Sequence, residues 1–158
     1  MAYTAIFICN NFLKRSFAEN EPITFIRLLH LNYIAASRYV QRTGYDMFPN
    51  PFYATSDYGP IQDSVYGIFS CFGNNPITKY AKNAKGSAQE YNEDEDISLH
   101  MALEETWVGA KRHTTEELTA LLIGEGSVAD IANKHNSNII NPFDVHDDTT
   151  YHKAFGIA

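Results

Sequence analysis

The fold turns on Pro22-Ile23-Thr24-Phe25-Ile26-Arg27-Leu28-Leu29-His30-Leu31-Asn32-Tyr33-Ile34-Ala35 and its continuation to Gly44. Thr24 has the side chain of an N-cap, with a hydroxyl able to take a free amide of the first turn. Ile26, Leu29, Tyr33, Ala36 and Val40 follow at steps of three and four, which is one face of a helix. Phe25, Leu28, Ala35 and Tyr39 form a second apolar stripe beside it. A helix apolar around so much of its circumference belongs in the middle of a bundle. Gly44 closes it, since glycine adopts the left-handed conformation of a helix end.

Working outward, residues 3–18 predict a first helix with Ala5, Ile8 and Phe12 facing inward and Phe7 and Leu13 flanking them. The short Asn20-Glu21-Pro22 turn makes the first two helices an antiparallel pair. Pro49 and Pro51 forbid a regular helix in the next segment. Phe52-Tyr53-Ala54-Thr55 then has the aromatic and β-branched content of a short strand, placing a small hairpin near Phe52–Tyr58. Tyr58-Gly59-Pro60 reads as a turn, with Pro60 opening a third helix that carries Ile61, Val65, Ile68, Phe69 and Phe72 up to Gly73. Ile97–Lys111 predicts a fourth helix. Thr114 with Glu117 and Ser127 with Asp130 have capping-box spacing, and they start two short helices, Glu116–Ile123 and Val128–His135. The fold class is therefore mainly α: a single-domain helical bundle over residues 1–136 with a small β-hairpin, followed by a polar C-terminal tail, 137–158.

The chain has 158 residues, 44% hydrophobic and 20% charged, the composition of one soluble globular domain. Its formal net charge of -7 is uneven: residues 1–85 hold eight Lys/Arg against five Asp/Glu, and residues 86–158 hold four against fourteen. An acidic chain without a basic run lacks the clustered cations that grip phosphates, which argues against nucleic acid as a partner. No apolar run approaches the roughly 20 residues of a membrane span, and no signal-peptide pattern opens the chain, so a cytoplasmic location is expected. Cys9 and Cys71 both lie in apolar sequence without CxxC spacing and read as small core residues. The acidic run Ser87–Asp96 reads as a solvated loop, with a docking strip for a basic partner as the sharper alternative.

No catalytic constellation emerges. G-x-S-x-G, the P-loop and G-x-G-x-x-G are absent, and Glu104-Glu105 and Glu116-Glu117 are adjacent pairs that diverge around a helix. The densest titratable cluster, His146, Asp148 and His152, is the one set that would suit a metal-dependent hydrolase, but it falls in polar sequence rather than in a shaped cavity. No cofactor or metal is expected. Aromatic content stands out instead: six of the ten tyrosines fall within Pro22–Gly73. Tyrosine joins a broad apolar face to a polar tip and is enriched at protein interfaces, so an exposed aromatic groove is predicted there.

The ordered run Thr24, Arg27-Leu28, Leu31, Tyr33 and Ala35, then Phe52, Ala54 and Tyr58-Gly59-Pro60-Ile61, then Val65-Tyr66, Phe72-Gly73 and Ile77, resembles the Panacea domain, the phage-associated group that includes SocA-type proteins. Arg27 stands where that family has its first lysine and His30 where it has its second; Thr55 replaces a tryptophan, and one extra residue separates Ala54 from Gly59. The resemblance implies a mostly helical, non-catalytic domain that acts by direct contact, usually as an antitoxin neutralising a cognate toxin and sometimes as an adaptor to a protease, often encoded by a phage or prophage. Together with the tyrosine cluster and the acidic second half, it points to Arg27, His30, Tyr33, Tyr53, Tyr58 and Tyr66 as protein-binding positions, with a toxin as the partner. The alternative partner is a host defence nuclease complex that a phage-encoded inhibitor would block. Self-association into a homo-oligomer is compatible with both.

Overall fold

The computed structural model describes residues 2–157; Met1 and Ala158, the outer ends of the predicted domain and tail, lie outside the described residues. The architecture is mainly α with one small antiparallel hairpin, as the periodicity predicts. Helix α1 (Ala5–Glu19) turns at Asn20 and returns as α2 (Phe25–Thr43). Strands β1 (Tyr53–Thr55) and β2 (Gly59–Ile61) pair antiparallel, with Tyr53 opposite Ile61 and Thr55 opposite Gly59. Helices α3 (Asp63–Phe69), α4 (Ile97–Lys111), α5 (Thr115–Ile123), α6 (Val128–Lys134) and α7 (Pro142–Asp147) complete the bundle. No helix is long and apolar enough to cross a membrane.

Helix α2 is the centre. From Leu28 to Ser37 every side chain is buried, and α1, α3, α4, α5, α7 and β2 all pack on it. Both of its ends follow the sequence: the Thr24 hydroxyl accepts from the Arg27 amide, and Gly44 takes φ 76° at the C-cap. On α4, Leu99, Leu103 and Trp107 are core, whereas Met101 and Val108 face solvent. The predicted capping box at α5 is complete, with Thr114 and Glu117 each bonding the other's backbone.

Three expectations are corrected. Pro60 does not open a helix: it lies in β2 opposite Ala54, where a short edge strand tolerates its missing amide, and α3 begins at Asp63. Cys9 is core, but Cys71 sits exposed on the one-turn 3-10 segment after α3. The polar tail predicted for 137–158 is instead a folded strap. Ile139 bridges to Tyr53, Asn141 caps α7 with Pro142 in its first turn, and Ile140, Val145, Tyr151 and Phe155 enter the core.

The acidic run is also tied down. Two consecutive asparagines of α1 act as surrogate strand partners for it. The Asn10 side chain donates to the Gln89 carbonyl while bonding both the amide and the carbonyl of Ala81 just ahead of the run, and that of Asn11 bonds both of Tyr91. Glu93 makes a two-pronged ion pair with Arg15 at 2.5 and 2.7 Å, and Asp96 accepts from the Tyr3 and Tyr39 hydroxyls while capping α4. Two of its five carboxylates thus point inward as structural anchors.

Candidate protein-binding surface

The six predicted site residues fall into three environments. Tyr33 and His30 are fully buried, which removes both from any docking surface. The Tyr33 hydroxyl donates to the Asp148 carboxylate at 2.5 Å, and burial followed by that neighbouring charge raises its pKa well above the usual phenol value. The His30 ring is pushed down to about 4, first by burial and then by the Arg27 charge, against a smaller opposing effect of the Tyr58 backbone. Its Nε2 lies 3.3 Å from the Thr119 hydroxyl, and Nδ1 has no hydrogen-bond partner of good geometry. It is a neutral core histidine wedged between α2 and α5.

Arg27 is half-buried and fully occupied by structure. Its Nη1 and Nη2 donate to the Ala110 and His113 carbonyls, each at 2.6 Å, and its Nε donates to the Thr115 hydroxyl at 3.3 Å. A guanidinium at these carbonyls satisfies the last turn of α4 and complements its negative end. No carboxylate bonds it directly. Burial lowers its pKa, and the charges of Glu21, Glu116 and Glu117 offset part of that. Arg27 therefore fixes the α4–α5 corner.

Tyr53, Tyr58 and Tyr66 remain at the surface. Tyr53 lies on β1 against Ile61, along a groove with Ile6, Pro49 and Pro51. Tyr58 and Tyr66 converge from the hairpin turn and α3, their rings 6.0 Å apart, and both meet the edge of buried Phe25 at 5.9 and 5.8 Å. Such edge contacts suit the ring quadrupoles and fix both rings in place. The Thr55 hydroxyl, accepting from the Tyr58 amide and donating to the Gly59 carbonyl, holds the turn that carries Tyr58. Gly59, with φ 78°, lets the turn lie against α5, because a Cβ there would come within 3.1 Å of the Leu122 carbonyl. Tyr66 is 38% exposed, and Ile123 of α5 beside Gly59 is also exposed. The result is a preorganised aromatic patch built on Phe25.

The histidines and carboxylates of the C-terminal strap do not converge on a metal. The Asp148 carboxylate accepts from Tyr33 and from the Thr150 amide and hydroxyl; His152 Nε2 faces Gln41 Oε1; His146 pairs with its neighbour Asp147. Among the described residues no group of three or more His, Cys, Asp or Glu is placed to hold a metal ion, so the hydrolase set His146, Asp148 and His152 has no geometric basis.

What sequence reading missed is a buried polar seam. Ser37 donates to the Val145 carbonyl and accepts from the Tyr151 hydroxyl, while the Gln41 amide bonds the His146 and Asp148 carbonyls. The available signal was Ser37 and Gln41, one turn apart on the central helix, and Ile140, Val145, Tyr151 and Phe155 spaced through a polar segment. Compared with known proteins, the chain matches no family model, no curated protein and no solved structure.

Proposed function

We infer that this protein is a non-catalytic binding module that neutralises a toxin by covering its working surface. The observation that carries the reading is the surface Tyr58–Tyr66 pair, Tyr58 half-buried and Tyr66 exposed, seated on Phe25 at the hairpin–α3 corner. Rigid aromatic anchors supply large contact area at low ordering cost, which is the usual make-up of an interface hot spot. The Panacea-like motif spans this corner, and the charge of residues 86–158 suits a basic toxin, since complementary fields speed encounter and favour the right partner. Membership of that family, an antitoxin role and a phage or prophage origin are parts of this proposal.

The test is affinity capture of tagged protein from its native host, with a Tyr58→Ser/Tyr66→Ser variant in parallel. One stoichiometric small basic partner, captured by the natural sequence and lost from the variant, supports the reading. Equal recovery by both refutes the assignment of the surface, and recovery of a large nuclease complex replaces the toxin with the defence target.

A further inference from the structure

In a chain whose net charge is -7, the stretch from Ser64 to Gln89 carries no Asp or Glu, and its only charged side chains are Lys79, Lys82 and Lys85. All three are exposed, and none takes part in an ion pair among the described residues, whereas Lys14, Lys111 and Lys134 each hold a carboxylate. The segment that carries them is held in shape. The Ile77 amide donates to the Ile23 carbonyl at 2.9 Å, and Ala81 is buried, with its amide and carbonyl both taken by the Asn10 side chain. Lys82 then pairs with Ala88 across a tight hairpin, in which the Asn83 side chain accepts from the Lys85 and Ser87 amides and Gly86 takes φ 81°. The lysines therefore project from a fixed backbone, and three-residue spacing keeps neighbouring ones within about 11 Å from Cα to Cα.

An aromatic pair stands on the same segment. Ala81 is drawn inward, while Tyr80 beside it stays at the surface and meets Phe17 of α1, their ring centroids 5.0 Å apart and their planes at 69°. The two rings are 38% and 39% exposed. An edge-to-face contact covers the face of one ring and only the edge of the other, so π-faces remain that the pair itself does not cover. Lys14, one turn before Phe17 on α1, bonds Glu90, the first carboxylate after the hairpin, and so keeps it from the three lysines.

Unpaired cations beside open aromatic faces are the two components of a single-strand nucleic-acid site: phosphates meet the ammonium groups and unpaired bases stack on the rings. A duplex offers its phosphates but keeps its bases stacked on one another, and an acidic peptide needs no open aromatic face. We propose that the Lys79–Lys85 hairpin and the Phe17–Tyr80 pair bind a short single-stranded nucleic acid, with phosphates on the lysines and a base on Tyr80. The expectation against nucleic acid holds for the chain as a whole, whose acidity confines the contact to a few nucleotides. The Tyr58–Tyr66 corner takes no part, so this does not rest on the toxin-binding reading.

The experiment is fluorescence anisotropy of a labelled oligothymidylate of about 12 nucleotides, titrated with the full chain between about 50 and 200 mM NaCl. Three variants accompany the natural sequence. Lys79→Gln/Lys82→Gln/Lys85→Gln removes the cations at exposed, unpaired positions; Tyr80→Leu keeps apolar cover for Phe17 but removes the π-face; Tyr80→Phe retains it. Expected is binding whose logarithm falls with the logarithm of salt at a slope of about -2, the value for three phosphate contacts on a single strand, and a slope near zero in the triple variant. Tyr80→Leu should bind about tenfold more weakly at unchanged slope, and Tyr80→Phe as the natural chain does. No binding up to about 1 mM protein, ten times the weak end of ordinary non-specific affinity, would overturn the proposal. So would Tyr80→Leu binding undiminished, a duplex of the same length bound as tightly, or an oligoglutamate of equal charge competing on equal terms, which would assign the lysines to an acidic protein instead.

Discussion

Substituting Gly109 by alanine tests how the C-terminal strap is held. Gly109 lies inside α4 with helical backbone, so on propensity alone alanine should stabilise the protein by about 1 kcal/mol. Packing opposes this. A Cβ at Gly109 would stand 2.3 Å from Cδ2 and 2.7 Å from Cγ of Phe155, so the ring would have to retreat by on the order of 1 Å to reach ordinary contact. It has little room to do so. The Phe155 ring is buried, stacks on His113 with planes 6° apart, and meets Tyr151 edge-on at 5.7 Å. Its backbone is also pinned, with Arg112 donating to the Phe155 carbonyl at 3.0 Å and His113 Nε2 lying 2.9 Å from that of Ala154. Losing a buried phenylalanine costs about 3–5 kcal/mol, so full expulsion of the ring, less the helix gain, leaves Gly109→Ala destabilised by about 2–4 kcal/mol.

The assay is urea unfolding followed by circular dichroism for the natural chain, Gly109→Ala, Phe155→Ala and the double variant. In the Phe155→Ala background the clash is absent, and Gly109→Ala should reverse sign and stabilise by about 1 kcal/mol. A stabilising Gly109→Ala in the natural background would refute the seating of Phe155 over Gly109.

The remaining predictions concern the buried polar groups. His30 binds its proton near pH 6.5 when unfolded but resists protonation to about 4 when folded, so the unfolded chain holds more protons between these values. Stability is then full above pH 6.5 and falls on acidification towards pH 4, by about 3 kcal/mol in all from this one group; a His30→Gln variant should flatten that part of the urea-measured pH profile. Tyr33→Phe strips a buried donor from Asp148 and should cost about 1–3 kcal/mol in thermal or chemical unfolding. Asn11→Ala removes both bonds to Tyr91 and the one to Glu93, and hydrogen exchange of residues 87–96 should accelerate while that of α2 stays slow.

The legible part of this fold was the part written in apolar period. Ile26, Leu29, Tyr33, Ala36 and Val40 gave α2 its place, and Thr24, Thr114 and Gly44 gave the ends of elements, because caps and stripes are local and the same residues do both jobs in the sequence and in space. The aromatic corner was half legible. Its richness in tyrosine was visible, but which rings face outward depends on packing: Tyr33 lies on the central helix and is drawn inward to Asp148, while Tyr66, on the outer side of short α3, keeps its exposure. Arg27 and His30 stood among the expected binding positions, and their neighbours in sequence say nothing of the α4–α5 corner that closes over them.

The strap was illegible for a related reason, and it shows how a polar segment can still be a core element. Hydropathy marks a segment as buried only when its side chains are apolar throughout, and residues 137–157 carry Asn, Asp, Thr and His between isolated hydrophobes. Their partners lie about a hundred residues earlier, on one polar line of α2: Tyr33 to Asp148, Ser37 to Val145 and Tyr151, Gln41 to His146, Asp148 and His152. Each half alone would carry a cost, since a polar line on a central helix and backbone carbonyls at a core surface both lose water on burial. Together each satisfies the other, and the apolar Ile140, Val145, Tyr151 and Phe155 then supply the net drive to dock. A single polar-to-apolar change in that line, such as Gln41→Leu, therefore leaves the His146 and Asp148 carbonyls unpaired, and should loosen the strap despite adding hydrophobicity to the core-facing helix.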